Sequence, residues 1–168
     1  ATDTQAISVT VTDANEAPAV SSNGGGATAA ISIAENGTAV TTVTSTDVDA
    51  GATAAYSISG GADAGLFTIN ASTGVLALVA AADFETPTDD GADNVYDVQV
   101  QVSDGSLTDT QAIAVTITDA NDTPVITSNS GGSSAAVSVA ENGTAVTTVT
   151  ATDQDSGDTL TYSISGGA

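Results

Sequence analysis

Residues 109–121 read DTQAIAVTITDAN, a stretch in which isoleucine and valine alternate with small or hydroxyl residues before an acidic end. Alternation with a period of two is typical of a β-strand with one buried face. Nearly the same stretch, DTQAISVTVTDAN, stands at residues 3–15, and AENGTAVTTVT occurs at both 34–44 and 140–150. Both pairs share one offset, 106 residues from 3 to 109 and from 34 to 140. Because this period is the size of a small domain, the sequence predicts a tandem array of modules.

The array divides the chain into three parts. We expect residues 1–17 to be the C-terminal strand and linker of a preceding truncated module, and residues 18–119 to be one complete module. Residues 120–168 are then a linker and the N-terminal half of a following truncated module. Because truncated modules expose strand edges and unfinished cores, we expect the outer segments to be disordered, exchanged between chains or completed by neighbours.

Seven short stretches of the complete module share the alternating pattern. They lie around Ile31 and Ile33, Val40 and Val43, Tyr56 and Ile58, Phe67 and Ile69, Val75 to Leu78, Tyr96 to Val102, and Ile113 to Ile117. Small and β-branched residues dominate the composition, which favours strands over helices. The sequence therefore predicts an all-β fold, a seven-stranded antiparallel Greek-key β-sandwich, with a barrel of similar strand number as the alternative.

The charge of the chain restricts its partners. It carries 21 acidic residues and no lysine, arginine or histidine, a formal charge of −21. Since no cationic side chain can balance them, solvent cations must neutralise the acidic clusters. Phosphate would be repelled, which argues against nucleic acid and anionic membrane surfaces as direct partners. The lack of cysteine and histidine excludes thiol and imidazole catalysis, and no apolar run approaches the roughly 20 residues of a membrane-spanning helix.

Most carboxylates fall at strand ends and between the repeated segments, in short motifs. The motifs are Asp13-Ala-Asn15-Glu16 and Asp119-Ala-Asn121-Asp122 between modules, Glu35 and Glu141 after the first strand, Asp47-Val-Asp49 and Asp153-Gln-Asp155 after the second, Asp83-Phe-Glu85, and Asp104. In an extended segment residues i and i+2 face one side, so an Asp-x-Asp pair directs two carboxylates to one point. Calcium takes about six to eight oxygen ligands from such groups, so the motifs predict calcium sites.

These motifs, in this order and spacing, resemble the calcium-binding signature of cadherin repeats, and the acidic, lysine-free style is similar to the cadherin-like repeats of large bacterial surface proteins and adhesins. The resemblance implies Ca²⁺ clusters at the junctions between modules. At the second junction, around the linker after residue 118, it implies Glu35, Asp83, Glu85, Asp119, Asn121, Asp122, Asp153 and Asp155 as ligands. At the first junction, around the linker before residue 18, it implies Asp13, Asn15, Glu16, Asp47, Asp49 and Asp104. Glu141 would serve a downstream junction.

The resemblance also implies a function and a location. A cadherin-like array at a bacterial cell surface would act as a calcium-rigidified stalk or structural segment of an extracellular adhesin or filament. Its partners would be neighbouring modules of the same type, in the same or adjacent chains, with homophilic, glycan or surface ligands bound through other parts of the parent protein. The alternative is a calcium-dependent module that itself binds carbohydrate or protein.

Two departures from the family pattern affect the number of ions. The linker carries Ala17 or Thr123 where the family commonly has asparagine, and the segments after the Asp-x-Asp pairs read Gly51-Ala-Thr and Gly157-Asp158-Thr. We expect two or three calcium ions at a complete junction. Six further acids fit an ordinary solvated acidic surface: Asp3, Asp89, Asp90, Asp93, Asp109 and Asp158. The sequence does not assign Asp63 and Asp97.

An enzyme is the main hypothesis of another class. Asp83 and Glu85 could form a glycosidase pair of acid and nucleophile. Carboxylates two residues apart lie closer together than a pair that spans a substrate, and the chain has no tryptophan to stack a sugar. We therefore expect no enzymatic activity.

Overall fold

The computed structural model describes residues 1–167, and its regular structure is almost entirely β-strand. The strands in this part of the chain are β1 (Ala19–Val20), β2 (Thr28–Ala34), β3 (Ala39–Thr42), β4 (Ser45–Thr46), β5 (Ala55–Gly60), β6 (Phe67–Ile69), β7 (Val75–Leu78), β8 (Val95–Ser103), β9 (Thr108–Thr118), β10 (Val125–Ile126) and β11 (Ala151–Thr152). Short 3₁₀ turns occupy Ala64–Leu66 and Ser128–Ser130. No helix within residues 1–167 has the length and apolar character needed to cross a membrane.

The strands from β1 to β9 form two main sheets. One sheet has the order β2-β9-β8-β5 and the other has the order β3-β7-β6, while β1 pairs with β4. The predicted all-β sandwich is therefore confirmed. The predicted second stretch is divided into β3 and β4, and the hairpin from β6 to β7 forms with the antiparallel pairing that the sequence predicts.

The core consists mainly of side chains at alternate strand positions, with Val43 and Ala82 added from connecting segments. The buried apolar residues are Val20, Val43, Phe67, Leu76, Leu78, Ala82, Tyr96, Val98, Val100, Val102, Ile113, Val115 and Ile117. Burying one large apolar side chain contributes about 1.5–3 kcal/mol. All of these residues lie between β1 and β9, so this part of the chain has a hydrophobic core of its own that holds the strand ends in place.

One pairing differs from the prediction of antiparallel strands throughout. β2 runs parallel to β9, with Thr28 opposite Ala112 and Ala34 opposite Thr118. The prediction was wrong at this pair because alternation encodes which face is buried and carries no information about strand direction. The parallel pairing brings the C-terminal ends of both strands to the same edge. Glu35, which follows β2, therefore lies beside the linker that follows β9, and its N–H donates to the carbonyl of Thr118 at 3.1 Å.

The short strand β1 was not predicted, and an aspartate expected to be solvated helps to hold it. The Val20 N–H donates to Asp109 Oδ2 at 2.8 Å, and Asp109 is half-buried at the start of β9. The solvated assignment of Asp109 was therefore wrong. A two-residue strand carries too little alternation to be recognised in a sequence.

Two buried carboxylates, Asp63 and Asp89, organise the loop between β7 and β8. Asp63 accepts from the N–H groups of Asp90 and Asp97 at 2.7 and 2.8 Å. Asp89 is 6% exposed and accepts from the N–H groups of Asp93 and Asn94 at 3.0 and 3.2 Å, so its solvated assignment was also wrong. Burial raises the pKa of Asp89, but these backbone bonds outweigh burial and leave the pKa below its usual value.

The segments outside β1 to β9 have little regular structure. Residues 1–18 contain no strand, although residues 3–13 repeat the sequence of β9. β9 has a strand on each side, β8 and β2, whereas residues 1–18 belong to no sheet. After residue 120 the described chain has a single antiparallel pair, Val125 with Thr152 and Ile126 with Ala151.

Candidate metal centre

The second junction is organised around Glu35, the only glutamate among residues 1–167 with a buried side chain. Its side chain is 5% exposed. Oε2 accepts from the Phe84 N–H at 2.7 Å, and Oε1 accepts from the Ala120 N–H at 2.9 Å. One carboxylate thereby joins the end of β2, the loop after β7 and the linker after β9. Phe84 is held in turn because its carbonyl accepts from Asn94 Nδ2 at 2.8 Å.

Two further carboxylates lie against Glu35. Glu35, Glu85 and Asp119 each place one oxygen within 4.8 Å of the others. Burial, followed by the charges of Glu35, Asp119 and Asp155, raises the pKa of Glu85. Burial, followed by Asp155 and Glu35, also raises the pKa of Asp119. Ionised carboxylates this close repel one another in the absence of a cation, and this repulsion adds to the effect of burial on both pKa values.

The linker and the segment after it add more acids to the same place. The Asp122 N–H donates to Asp155 Oδ2 at 2.6 Å, and the Asp155 N–H donates to Asp153 Oδ1 at 3.2 Å. Asn121 Nδ2 donates to the carbonyl of Asp122 at 2.7 Å, which shapes the linker. The turn containing Asp153 and Asp155 is therefore bonded directly to the linker.

Asp83 lies at the side of this cluster. Its Oδ1 accepts from the Thr86 N–H at 3.0 Å and its Oδ2 from Gln154 Nε2 at 3.1 Å. Hydrogen bonding from the Thr86 side chain, then from Gln154 and the Thr86 N–H, holds the pKa of Asp83 below its usual value despite partial burial. Asn36 Nδ2 donates to Asp122 Oδ1 at 3.1 Å. The sequence predicted neither this contact of Asn36 nor the contact of Gln154 with Asp83.

The first junction repeats this local geometry. Asp13, Glu16 and Asp49 each place one carboxylate oxygen within 4.8 Å of the others. The Glu16 N–H donates to Asp49 Oδ2 at 2.8 Å, and the Asp49 N–H donates to Asp47 Oδ1 at 2.9 Å. Desolvation, followed by the charges of Asp49 and Asp13, raises the pKa of Glu16. The linker and the Asp-x-Asp turn therefore meet here as they do at the second junction.

Asp104 joins the first junction from the turn after β8. Its Oδ1 accepts from the N–H groups of Ser106 and Leu107 at 2.6 and 2.7 Å, and its Oδ2 accepts from Asn15 Nδ2 at 2.7 Å. The bonds from Leu107 and Asn15 hold its pKa below the usual value. Asn15 Nδ2 also lies 3.1 Å from the carbonyl of Glu16.

Two acids remain to be placed: Glu141, which was predicted to be a ligand, and Asp158, which was not. Glu141, the sequence counterpart of Glu35, is exposed and lies outside both clusters. Asp158 is exposed, in line with its solvated assignment, but one of its carboxylate oxygens lies within 4.8 Å of oxygens of Asp153 and Asp155. The signal in the sequence was the replacement of Ala52 by Asp158 at the 106-residue offset.

The donor atoms at both junctions suit calcium. They are oxygens of aspartate, glutamate and asparagine. Calcium binds such oxygen ligands, whereas softer metals favour sulfur or nitrogen ligands. Three buried carboxylate oxygens have no hydrogen-bond partner within residues 1–167: Glu85 Oε2 and Asp155 Oδ1 at the second junction, and Asp47 Oδ2 at the first. Unpaired buried carboxylate oxygens are costly, and a bound cation would satisfy them.

Comparison with known proteins gives the same picture of the fold. A profile of the cadherin domain matches residues 29–119. The EC1-2 fragment of human protocadherin-24 is similar over 86% of this chain and 62% of its own, with 25% identity and a TM-score of 0.55. The EC3-6 fragment of protocadherin gammaB7, solved as a cis-dimer, is similar over 84% of this chain and 37% of its own, with 25% identity and a TM-score of 0.52.

Extracellular cadherin domains 3-6 of protocadherin gamma B2 match 83% of this chain at 23% identity with a TM-score of 0.51, which supports the fold alone. The chain spans less than two thirds of the length of each of these structures. No curated protein matches the sequence.

The family profile covers more than half of the chain and half of the eight residues predicted for the second junction. It runs from β2 through Asp119, and so includes Glu35, Asp83 and Glu85. The two-sheet sandwich over the same residues agrees with it. The chain therefore belongs to the cadherin domain family.

Proposed function

We propose that this chain is a calcium-dependent cadherin repeat in which bound calcium sets the angle between neighbouring modules. Cadherin domains are extracellular adhesion modules that bind calcium in general. The observation that carries the proposal is the convergence of Glu35, Glu85, Asp119 and Asp155, which come from four separate segments, on one partly buried place.

The proposed ligands of the second junction divide by role. Glu35 is a positioning group as well as a ligand, because both of its oxygens already hold backbone N–H groups. Glu85, Asp119 and Asp155 supply charge, and the first and last carry the unpaired buried oxygens. The full proposed set is Glu35, Asp83, Glu85, Asp119, Asn121, Asp122, Asp153 and Asp155, to which the geometry adds Asp158.

The proposed first junction uses Asp13, Asn15, Glu16, Asp47, Asp49 and Asp104. Its ligand turn is formed by the same hydrogen bonds as the second, between the linker N–H and the second aspartate of the pair. Counterparts of Glu35, Asp83 and Glu85 at the 106-residue offset would precede residue 1, so we expect weaker calcium binding here within this chain.

Stiffening follows from the charges. Without calcium the carboxylates of the linker and the two adjoining segments repel one another, so the junction opens and its angle varies. When bound, the divalent ion neutralises these groups and draws ligands from both sides of the linker together. An array of such junctions would form a rod, which suits a stalk of a bacterial surface adhesin or a filament.

Calcium titration by isothermal calorimetry, with small-angle scattering on the same samples, tests the proposal. We expect saturable binding in calcium, a narrower range of particle dimensions than in EDTA, and a higher melting temperature. A ligand present at 100 times its Kd stabilises the folded state by about 2.7 kcal/mol. Identical melting curves and scattering profiles in calcium and in EDTA would disprove the calcium-dependent function.

The competing function is binding of carbohydrate or protein by the module itself. A glycan array probed with the 168-residue chain in calcium distinguishes the two. A stalk gives no specific signal, whereas saturable binding to one glycan class that EDTA abolishes would favour the binding module.

A further inference from the structure

β2 forms an open edge of the larger sheet. In the order β2-β9-β8-β5, β9 lies on one side of β2, and no strand of residues 1–167 lies on its other side. The carbonyl of Ala27 and the N–H of Glu35 both bond to β9. Because successive residues of a strand direct their backbone groups to opposite sides, the odd-numbered residues of β2 face β9. The residues whose N–H and C=O groups point outward from the edge are therefore Thr28, Ala30, Ser32 and Ala34.

The other three edge strands of the two main sheets have features that discourage strand pairing. β5 has a register shift between Ile58 and Gly60, and β3 has one between Ala39 and Thr41. β6 contains only three residues. β2 pairs with β9 over seven residues, with no such shift in the described structure, and its sequence TAAISIA contains neither charge nor proline. Since bulges, short strands, charges and proline protect sheet edges, β2 is the unprotected edge of this module.

The acids of the chain lie away from this edge. No acidic residue stands between Glu16 and Glu35, a stretch that includes all of β2 in a chain with 21 acids and no basic side chain. Glu35 itself is buried against the N–H groups of Phe84 and Ala120. Two copies with a charge of −21 repel each other wherever their acidic ends meet, so a neutral edge is the place where their backbones can approach. A basic partner would be drawn to the acidic junctions, whereas this edge suits a neutral strand such as β2 itself.

We propose that β2 pairs antiparallel with β2 of a second copy of this chain, about a two-fold axis at Ile31. In this register Ala30 of each copy lies opposite Ser32 of the other, and Thr28 lies opposite Ala34. These are the residues whose backbone groups point outward, so each outward N–H meets a carbonyl. The two four-stranded sheets join into one continuous sheet. Because both copies contribute the same surface, the contact closes at two copies.

The same register avoids opposing charges and brings apolar side chains together. Glu35 of one copy falls opposite Ala27 of the other, so no two acids face each other along the paired strands. Ile31 packs against the core but stays half-buried, whereas Val115 beside it on β9 is 0% exposed. The difference arises because β2 has a neighbour on one side only. In the proposed pair the two Ile31 side chains meet at the axis, and cross-strand contact between them favours association.

Antiparallel pairing sets the two modules side by side in opposite directions. β2 runs toward the second junction, which Glu35 joins directly after the strand. The pairing uses backbone groups and apolar side chains and needs no calcium. Where calcium stiffens the junctions, the same contact would join two rods laterally, a consequence that rests on the proposed function, whereas the strand pairing does not.

Sedimentation equilibrium of the 168-residue chain tests the pairing. The samples contain EDTA, so that the result is independent of calcium binding, and about 1 M NaCl, where the Debye length of about 3 Å screens the repulsion between acidic copies. Two seven-residue edges bury less area than a standard interface, so the dimer should be weak and concentrations up to about 1 mM are needed. We expect the weight-average mass to rise with concentration from that of the monomer toward that of the dimer. A monomer at every concentration would overturn the proposal.

Two substitutions of one residue identify the edge. Ser32→Pro removes an outward N–H and places a ring between the strands, so it should reduce the association constant at least about tenfold. The fold should tolerate it, because proline is accepted on edge strands where the N–H faces solvent, and the melting temperature checks this. Ser32→Ala is the matched control, since it alters the same exposed side chain but keeps the N–H, and it should change the constant less than about threefold. Equal association of the two variants would show that β2 is not the contact.

Disulfide trapping tests the register, since the chain has no natural cysteine. A mixture of the Ala30→Cys and Ser32→Cys variants should oxidise to a covalent heterodimer, because the register sets these exposed positions opposite each other with Cα atoms about 5.5 Å apart. Either variant alone should yield several-fold less dimer, because the two copies of one position are two residues out of register and lie beyond the disulfide limit of about 7 Å. Equal yields from the mixture and from the single variants would overturn the register.

Discussion

The two junctions share a linker motif and an Asp-x-Asp turn, but only the second is built around a buried carboxylate. At both, the N–H of the second linker acid donates to the second aspartate of the turn, from Glu16 to Asp49 at 2.8 Å and from Asp122 to Asp155 at 2.6 Å. Glu35 is 5% exposed at the second junction, whereas Asp13 and Glu16 at the first are exposed. The turn within each Asp-x-Asp pair is a local structure, whereas the buried centre requires two strand ends and a loop.

The difference between the junctions separates the contribution of the Asp-x-Asp turn from that of the buried carboxylate of Glu35. Each turn forms from a short-range hydrogen bond within the motif, from Asp49 to Asp47 and from Asp155 to Asp153. The bond from the linker to the turn joins residues 33 positions apart and repeats at both junctions. The buried carboxylate exists because β2 and β9 end together and the loop after β7 supplies a further N–H group. Four predictions test this separation, beginning with the largest expected effect.

Glu35→Ala should have the largest effect on stability. Removing its carboxylate leaves the N–H groups of Phe84 and Ala120 without their acceptor, which we expect to lower the free energy of unfolding by about 2–4 kcal/mol even in EDTA. Glu141→Ala is the matched control, because it removes the same residue from an identical eleven-residue context but at an exposed position. Urea unfolding measures both, and equal effects would show that Glu35 is not a structural centre.

Glu85→Ala should weaken calcium binding at the second junction by about tenfold or more, because one charged ligand is lost. Asp90→Ala is the control, since it removes one carboxylate from the same loop and its exposed side chain lies outside the clusters. Calorimetric titration measures the affinity. The assignment fails if Asp90→Ala weakens binding as much as Glu85→Ala does.

A reciprocal exchange at the 106-residue offset tests the contribution of Asp158. Asp158→Ala should weaken binding at the second junction about threefold, and Ala52→Asp should strengthen binding at the first by a similar factor. Asp158 lies with Asp153 and Asp155, whereas Ala52 stands at the same place after Asp47 and Asp49. Calorimetric titration of both variants with calcium measures the two affinities. If neither calcium affinity changes, Asp158 is not a ligand.

The smallest expected effect is on the pH dependence of stability in EDTA. The pKa values of Asp119, Glu85 and Glu16 are raised from 3.8, 4.5 and 4.5, so the folded state holds these protons more tightly than the unfolded state. Their stabilising contribution is present below the unfolded values and is lost as pH rises through the folded values. The melting temperature should therefore rise as pH is lowered from 7 toward the ordinary Glu85 value of 4.5.

Two samples check this origin of the pH effect. Asp119→Asn should flatten the profile over the same interval, since the neutral amide cannot titrate. Saturating calcium should flatten the wild-type profile, because the ion replaces the proton. Below about pH 4 the lowered pKa values of Asp83, Asp89 and Asp104 act in the opposite direction, and their contribution is lost as they become protonated. A wild-type profile that rises steadily from pH 5 to 7 would contradict the predicted sign.

Much of the fold could be predicted because strand alternation is written directly in the sequence. The buried positions of β8 and β9, from Tyr96 to Val102 and from Ile113 to Ile117, follow the predicted period of two. The Asp-x-Asp pairs were expected to be extended, whereas the structure forms a turn in which the N–H of the second aspartate donates to the carboxylate of the first. The metal assignment of these residues remains a prediction to be tested by titration.

Two aspartates, Asp89 in a loop and Asp109 at the start of β9, were wrongly assigned to the solvated surface. Asp89 and Asp109 have the same flanking polarity as solvated acids, yet both accept backbone hydrogen bonds away from bulk water. With no cationic side chain in the chain, backbone N–H groups are the donors that stabilise these charges. Which N–H groups face a carboxylate depends on how loops far apart in sequence pack together.

The sequence by itself determined the all-β class, the 106-residue repeat, the positions that face the core and the acidic motifs at the junctions. Only the tertiary structure decided that β2 runs parallel to β9 and that Glu35 is buried between the loop and the linker. The physical reason is that alternation and motif spacing are local properties, encoded within a few residues. Strand direction and carboxylate burial depend on contacts between segments separated by tens of residues, such as Glu35 with Phe84 and Ala120.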